Sequence, residues 1–283
     1  MIPPAFEYHR PTDIAGALGV IAEHGDEARV IAGGHSLIPM MKLRMVEIAH
    51  LIDLQDVADL KGISVGETIR IGAMVTQHGL INDAALSAAA PILREAALQI
   101  ADPQVRYCGT VGGNVANGDP GNDMPGLMQC LDATFTLVGP DGSRDVPARE
   151  FYEAAYTTAR EDDEILTAIS FAKPAGGYAY EKQKRKIGDY ATAAAAVLIE
   201  KQGGKITAAS IAMTNLSDIP VFSEAAGDAL KGTDGTGAAL DKAVAAMLAD
   251  IDPTEDNRGP VEFKKHVAGV ILRRAIARAV DRA

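Results

Sequence analysis

Apolar residues recur at helical spacing in the first segment with a clear pattern. Ile14, Ala17, Leu18 and Ile21 follow Thr12 or Asp13 as a candidate N-cap, and Gly25 stops the helix. The short apolar runs 28–31 and 50–54 then read as buried strands, the first leading into a glycine-rich loop. From residue 60 the pattern becomes hairpin-like. Strands at 62–65 and 68–71 flank a Gly-Glu turn. Helices are expected near 76–83 and 91–100, and a Gly-, Asn- and Asp-dense loop over 101–123. A helical stretch at 127–131 and strands at 134–138 and 164–171 complete this part.

Pro174-Ala-Gly-Gly177 marks the boundary between two expected domains, 1–176 (lobes of about 1–55 and 56–176) and 177–283. Beyond it, three strands are expected at 178–186, 191–201 and 205–215, with Gly203-Gly204 as the turn between the last two. Helices near 222–231, 238–250 and 261–280 close the chain, the last with Phe263, Val267, Val270, Ile271 and Ala275 on its apolar face. The fold class this predicts is α+β.

A net charge of −11 argues against a nucleic-acid surface, which needs a basic excess. The first ten residues lack the basic start and apolar run of a signal peptide, and no stretch has the ~20 apolar residues of a membrane helix, so a cytoplasmic protein is expected. Two cysteines, Cys108 and Cys130, cannot hold an iron–sulfur cluster, which needs about four thiolates. His9, His24, His50, His78 and His266 have no metal-ligand spacing and read as surface or packing residues. No catalytic triad, carboxylate pair or P-loop is present, so neither a catalytic residue nor a metal ligand is expected.

Three segments carry candidate chemistry. In Ala32-Gly-Gly-His-Ser36, paired glycines let successive backbone N–H groups converge on an anion, and Ser36 adds a hydroxyl. Read alone, this is more readily an ordinary strand-to-helix turn. The stretch 109–123 packs five glycines and three asparagines into fifteen residues. Its Gly112-Gly113 pair could face Gly33-Gly34 across one diphosphate, with Thr110 and Asn114 as side-chain donors and Asp123 accepting sugar or ribityl hydroxyls. In 178–191, Lys182, Lys184 and Lys186 would share a strand face and balance a diphosphate or a reduced flavin. Gly188 would bend the chain and present Tyr190 as a flat ring. The bland alternative is an edge strand blunted by lysines.

The sequences AGGHSLIPMMKLR (32–44), QIADPQVRYCGTVGGNVANGDPGNDMPGLMQCLDA (99–133) and YEKQKRKIGDYATAAA (180–195) resemble the FAD-binding subunits of molybdenum hydroxylases over nearly the full chain. The likeness is nearest to the carbon monoxide-oxidising branch.

The resemblance implies a two-lobed FAD domain of the vanillyl-alcohol-oxidase type and a C-terminal domain with a small antiparallel sheet and three helices. It implies that Ala32, Gly33, Gly34, His35 and Ser36, with Thr110, Val111, Gly112, Gly113 and Asn114, hold the FAD pyrophosphate. Asp123 would bind the FAD chain, Tyr190 would lie by the isoalloxazine, and Leu166 and Lys182 match further FAD-contacting positions. FAD is expected to be noncovalent, with His35 as a loop hydrogen-bonding residue.

The molybdenum cofactor is expected on a large partner subunit and two [2Fe–2S] clusters on a small one, in a dimer of heterotrimers. Electrons would pass to a quinone, at the inner face of the cytoplasmic membrane. An N-heterocycle or aldehyde substrate, a stand-alone flavin oxidase, or an FAD-binding assembly module are the rival readings. For the oxidase, no substrate base is found.

Overall fold

In a computed structural model, described over residues 2–283, the chain builds an α+β fold from three layered units. The first is a parallel three-stranded sheet. Strand His50–Asp53 lies between Glu7–His9 and Ala28–Ile31, and both neighbours pair with it from His50 onward. Helix Ile14–His24 crosses over the sheet, burying Ala17 and Ile21 against Ile52, Leu54, Val57 and Leu60. It begins where Asp13 Oδ1 accepts the Gly16 N–H at 2.7 Å, a cap worth about 0.5–2 kcal/mol.

The second unit is a five-stranded antiparallel sheet in the order Ile63–Val65, Thr68–Gly72, Ile165–Ala172, Thr134–Gly139, Gly142–Pro147. Helices Pro91–Ala97 and Asp123–Cys130 contribute to the same core, where Phe135, Ile69, Ile71 and Leu93 are fully buried.

The third unit is an antiparallel sheet of Gly177–Gln183, Ala193–Gln202, Lys205–Thr214 and Val221–Phe222. Gly203 and Gly204 join its two long strands with φ of +60° and +79°. Positive φ at both central residues is what a tight hairpin turn demands. Helices Glu224–Leu230, Gly237–Asp250 and Val261–Arg282 accompany this sheet. Arg278 and Arg282 reach Glu95 of the second unit at 2.7 and 2.9 Å, tying the last helix across the junction.

Three expectations change. The stretch 101–123 is mostly helical: Pro103–Cys108 and Val111–Ala116 form, and the next helix starts at Asp123. Asp102 caps the first from its side chain with Pro103 at the opening position, and Thr110 caps the second. The strand expected to run to Lys186 ends at Gln183, because Gly188 at φ +85° turns the chain back and Thr192 N–H closes onto the Gln183 carbonyl. In the last helix the buried stripe is Lys264, Ala268, Ile271, Leu272, Ala275, Ile276, Ala279 and Val280, while Phe263 is exposed.

Candidate functional site: a phosphate loop braced by a second glycine pair

Strand Ala28–Ile31 delivers the chain into Ala32–Ser36, and the short helix Leu37–Lys42 carries it away. Among the described residues, the backbone N–H groups of Gly33, Gly34, His35 and Ser36 donate to no protein acceptor. Gly34 sits at φ +72°, so the peptide units on either side of it can converge. Four successive free donors on a half-exposed loop make an anion cradle of the kind a diphosphate fills.

The second glycine pair has a different task. Val111 N–H donates to Val75 O and Gly112 N–H to Ala73 O, both at 2.9 Å. Gly113 N–H goes to Thr110 Oγ1 at 3.0 Å, and Asn114 N–H to Thr110 O. These donors are engaged within the protein, so this segment acts as a brace. A Cβ on Gly33 would lie 2.5 Å from Cys108 O, and one on Gly113 would lie 3.5 Å from Ala32 Cβ. The two loops therefore pack directly against one another, and the glycines permit the close approach.

His35 is exposed beside Gly109 and makes no hydrogen bond among the described residues. The loop is held instead by Ile38 N–H on Gly34 O.

From this brace a continuous line of contacts leads to the remaining predicted residues. Asn114 accepts Met124 N–H on Oδ1 and Asn122 Nδ2 on its carbonyl, fixing the loop that opens helix Asp123–Cys130. Asp123 is buried. Lys182 Nζ lies 2.8 Å from its Oδ2, and the Tyr180 hydroxyl donates to Oδ1 at 2.5 Å. Lys182 and Lys184 both reach the Gln99 carbonyl at 3.3 Å, so they share a face, while Lys186 lies exposed in the turn beyond. Burial, then the Lys182 charge, holds the Lys184 ammonium below the ordinary lysine value.

Tyr190 is 44% exposed, with its ring against Gly121 and the Arg258 guanidinium 5.6 Å from its centroid. Burial, helped by Asp119, pushes its hydroxyl up to about 12. A polar recess of about 240 Å³, lined by Asp119, Gly121, Tyr156, Asp256, Arg258 and Lys264 among others, opens beside it. Leu166 is buried in the second unit's core, one residue before Thr167, whose carbonyl takes the Ala73 N–H.

Two residues here had no sequence signal. Tyr180 is fully buried and completes the Asp123 pair. Gln77 is 2% exposed, gives its N–H to Gly109 O, and has neither side-chain amide atom bonded within the protein. Its amide is closed off from the surface, so the open cradle of Gly33 to Ser36 is the feature that fits the diphosphate of a dinucleotide.

Residues 4–174 match the family described as the FAD binding domain in molybdopterin dehydrogenase, and residues 178–279 match the CO dehydrogenase flavoprotein C-terminal domain. The chain belongs to the molybdopterin dehydrogenase flavoprotein family. It is 56% identical to the carbon monoxide dehydrogenase medium chain of Afipia carboxidovorans, covering 100% of this chain and 99% of the relative. The medium chain of Hydrogenophaga pseudoflava is 43% identical, at 98% and 97% coverage. The solved structure of reconstituted CO dehydrogenase from Oligotropha carboxidovorans superposes with a TM-score of 0.98 at 56% identity, covering 100% of each chain.

His9, His24 and His50 come from three elements and meet in space, which sequence separation hides. No helix among the described residues is long and apolar enough to cross a membrane.

Proposed function

We propose that this chain is the FAD-binding medium subunit of a carbon monoxide dehydrogenase, relaying electrons from a partner's [2Fe–2S] clusters to a quinone. The observation that carries this is the row of four unspent N–H donors, Gly33 to Ser36, in a chain that matches carbon monoxide dehydrogenase medium chains end to end. Bound FAD supplies the store that joins one-electron carriers to a two-electron acceptor.

The division of labour follows the residues. The Ala32–Ser36 loop binds the diphosphate through its backbone. Thr110, Val111, Gly112, Gly113 and Asn114 hold that loop in place and close one wall. Asp123, with Lys182 fixed against it, meets the FAD chain, Leu166 contributes an apolar contact, and Tyr190 flanks the isoalloxazine. Residues 1–176 form the FAD-binding domain and 177–283 the second domain. No link through His35 is involved.

Two cysteines leave the clusters to a small iron–sulfur subunit, and the molybdenum cofactor to a large one. We place this chain in a dimer of those heterotrimers, at the inner face of the cytoplasmic membrane.

The test is co-expression with the two partner subunits, followed by flavin analysis and reduction by carbon monoxide. One FAD per chain, freed intact by acid and bleached by carbon monoxide in the complex, is expected. Flavin that stays with the precipitated protein overturns the noncovalent assignment. Flavin that carbon monoxide does not bleach, in a complex retaining its molybdenum and iron, overturns the substrate.

A further inference from the structure

The parallel sheet that leads into the phosphate loop carries a cluster with no part in the reading above. His9 ends the edge strand Glu7–His9, His24 ends helix Ile14–His24, and His50 opens the central strand His50–Asp53. His9 Nε2 and His50 Nδ1 are 3.0 Å apart. The His24 and His50 rings stack, with centroids 3.6 Å apart and planes within 7°. One nitrogen from each ring can be chosen so that all three lie within 4.8 Å of one another. The His24 and His50 side chains are 21% and 14% exposed.

We propose that His9, His24 and His50 form a structural site for a borderline divalent cation, Zn²⁺ in the first instance. Imidazole nitrogen suits such ions. At a Zn–N length of about 2.0–2.1 Å, tetrahedral ligand atoms stand about 3.3 Å apart. The His9–His50 separation is already near that value. A change of tautomer removes the proton that His9 Nε2 and His50 Nδ1 now share, and rotation of the two rings then aims both freed lone pairs at the ion. Rotation of the partly exposed His24 ring out of its stack brings in the third. Glu7 Oε2, 3.5 Å from His50 Nδ1, stands ready to fill the fourth position.

The consequence is mechanical. The ion would clamp the edge strand, the end of the crossover helix and the central strand at one point. The central strand pairs from His50 with Ala28, whose strand runs into Ala32–Ser36.

The experiment uses the full chain after chelator treatment, titrated with Zn²⁺ by calorimetry and with Co²⁺ by visible absorption. Saturation at one ion per chain is expected, with the intense Co²⁺ bands of tetrahedral coordination. His9→Leu and His24→Leu should each weaken Zn²⁺ binding by about tenfold or more, since loss of even an outer-shell partner costs about 10–100-fold. His266→Leu, on the last helix, should leave binding unchanged. If either cluster variant fails to fold, the wild-type Co²⁺ spectrum decides. Weak octahedral bands, no one-to-one saturation, or Zn²⁺ affinity indifferent to both substitutions would overturn the site and leave a stacked, hydrogen-bonded histidine cluster.

Discussion

Lys182 and Asp123 meet at 2.8 Å with side chains only 1% and 5% exposed, joining the first strand of the third unit to the helix that follows the glycine-rich stretch. An ion pair this dry gains little net stability from its own attraction, because both charges have left water. Its worth lies in what a single deletion does. Lys182→Met strands a carboxylate whose only remaining side-chain donor is the Tyr180 hydroxyl. The expected loss is about 3–5 kcal/mol in urea unfolding, while the double variant Lys182→Met/Asp123→Leu recovers much of it. A single variant as stable as the parent would show that the pair is solvated in the native protein.

Gly112 tests the bracing role of the second glycine pair. A Cβ there would lie 2.5 Å from Ala73 Cβ and 2.7 Å from Ala73 O. Neither can yield easily, since Ala73 is pinned by Gly112 N–H on one side and Thr167 O on the other. Gly112→Ala is expected to cost about 1–3 kcal/mol, as overpacking does. Gly19 is the contrast. It is an exposed helical position with nothing within 4 Å of an added Cβ, and Gly19→Ala should gain about 0.4–1 kcal/mol. Melting temperatures of the two variants that move in the same direction would contradict this account.

The legibility of this chain in its sequence is uneven for physical reasons. The crossover helix, the double-glycine hairpin and the three closing helices follow from local periodicity and turn chemistry. The helix Val111–Ala116 is hidden because its glycines and asparagine lower helix propensity, a deficit offset by the Thr110 cap and the contact with Ala73, while Pro103–Cys108, capped by Asp102, is too short to show a periodicity. The facing of the two glycine loops was readable from their motif. The difference in their free donors was not, because it depends on where Ala73 and Val75 place their carbonyls. The Tyr180–Asp123, Lys182–Asp123 and His9–His50 contacts join residues 57, 59 and 41 positions apart, which no local pattern encodes.

The two thiols should differ sharply. Cys108 is exposed, whereas Cys130 is buried, donates to Ser210 O at 3.3 Å, and is pushed up to about 12 chiefly by burial. Since the thiolate is the reactive form, a thiol reagent at pH 8 should modify one cysteine per chain until denaturant is added. Cys130 also has a linkage consequence. Its native pKa is raised above the ordinary 9.0, so its contribution is complete below about pH 9 and lost as pH climbs toward about 12. Tyr152 and Tyr180, raised well above 10.0 chiefly by burial, act in the same direction from about pH 10. Urea midpoints should therefore fall steadily between pH 9 and 11. A flat profile would mean that these groups ionise as readily in the native state as in the unfolded one.

Tyr190 separates a flavin-flanking role from a packing one. Its ring lies along Gly121, where an added Cβ would stand 2.8 Å from Cδ1, and nearly half of its surface stays open. A core tyrosine would be closed over. A ring meant to lie along a planar ligand would keep such an open side. If that ligand is the isoalloxazine, Tyr190→Ala retains FAD, because the Gly33–Ser36 donors supply the anchoring. It should nonetheless shift the flavin absorption bands and change reoxidation by about tenfold, equivalent to about 1.4 kcal/mol in a barrier. Tyr190→Phe keeps the ring and loses only the hydroxyl beside Asp119, so its spectrum should stay close to the parent's. Measuring spectrum and melting temperature on both variants divides the two roles. A Tyr190→Ala protein with an unchanged flavin spectrum and a clearly lowered melting temperature would make Tyr190 a packing residue and move the isoalloxazine elsewhere.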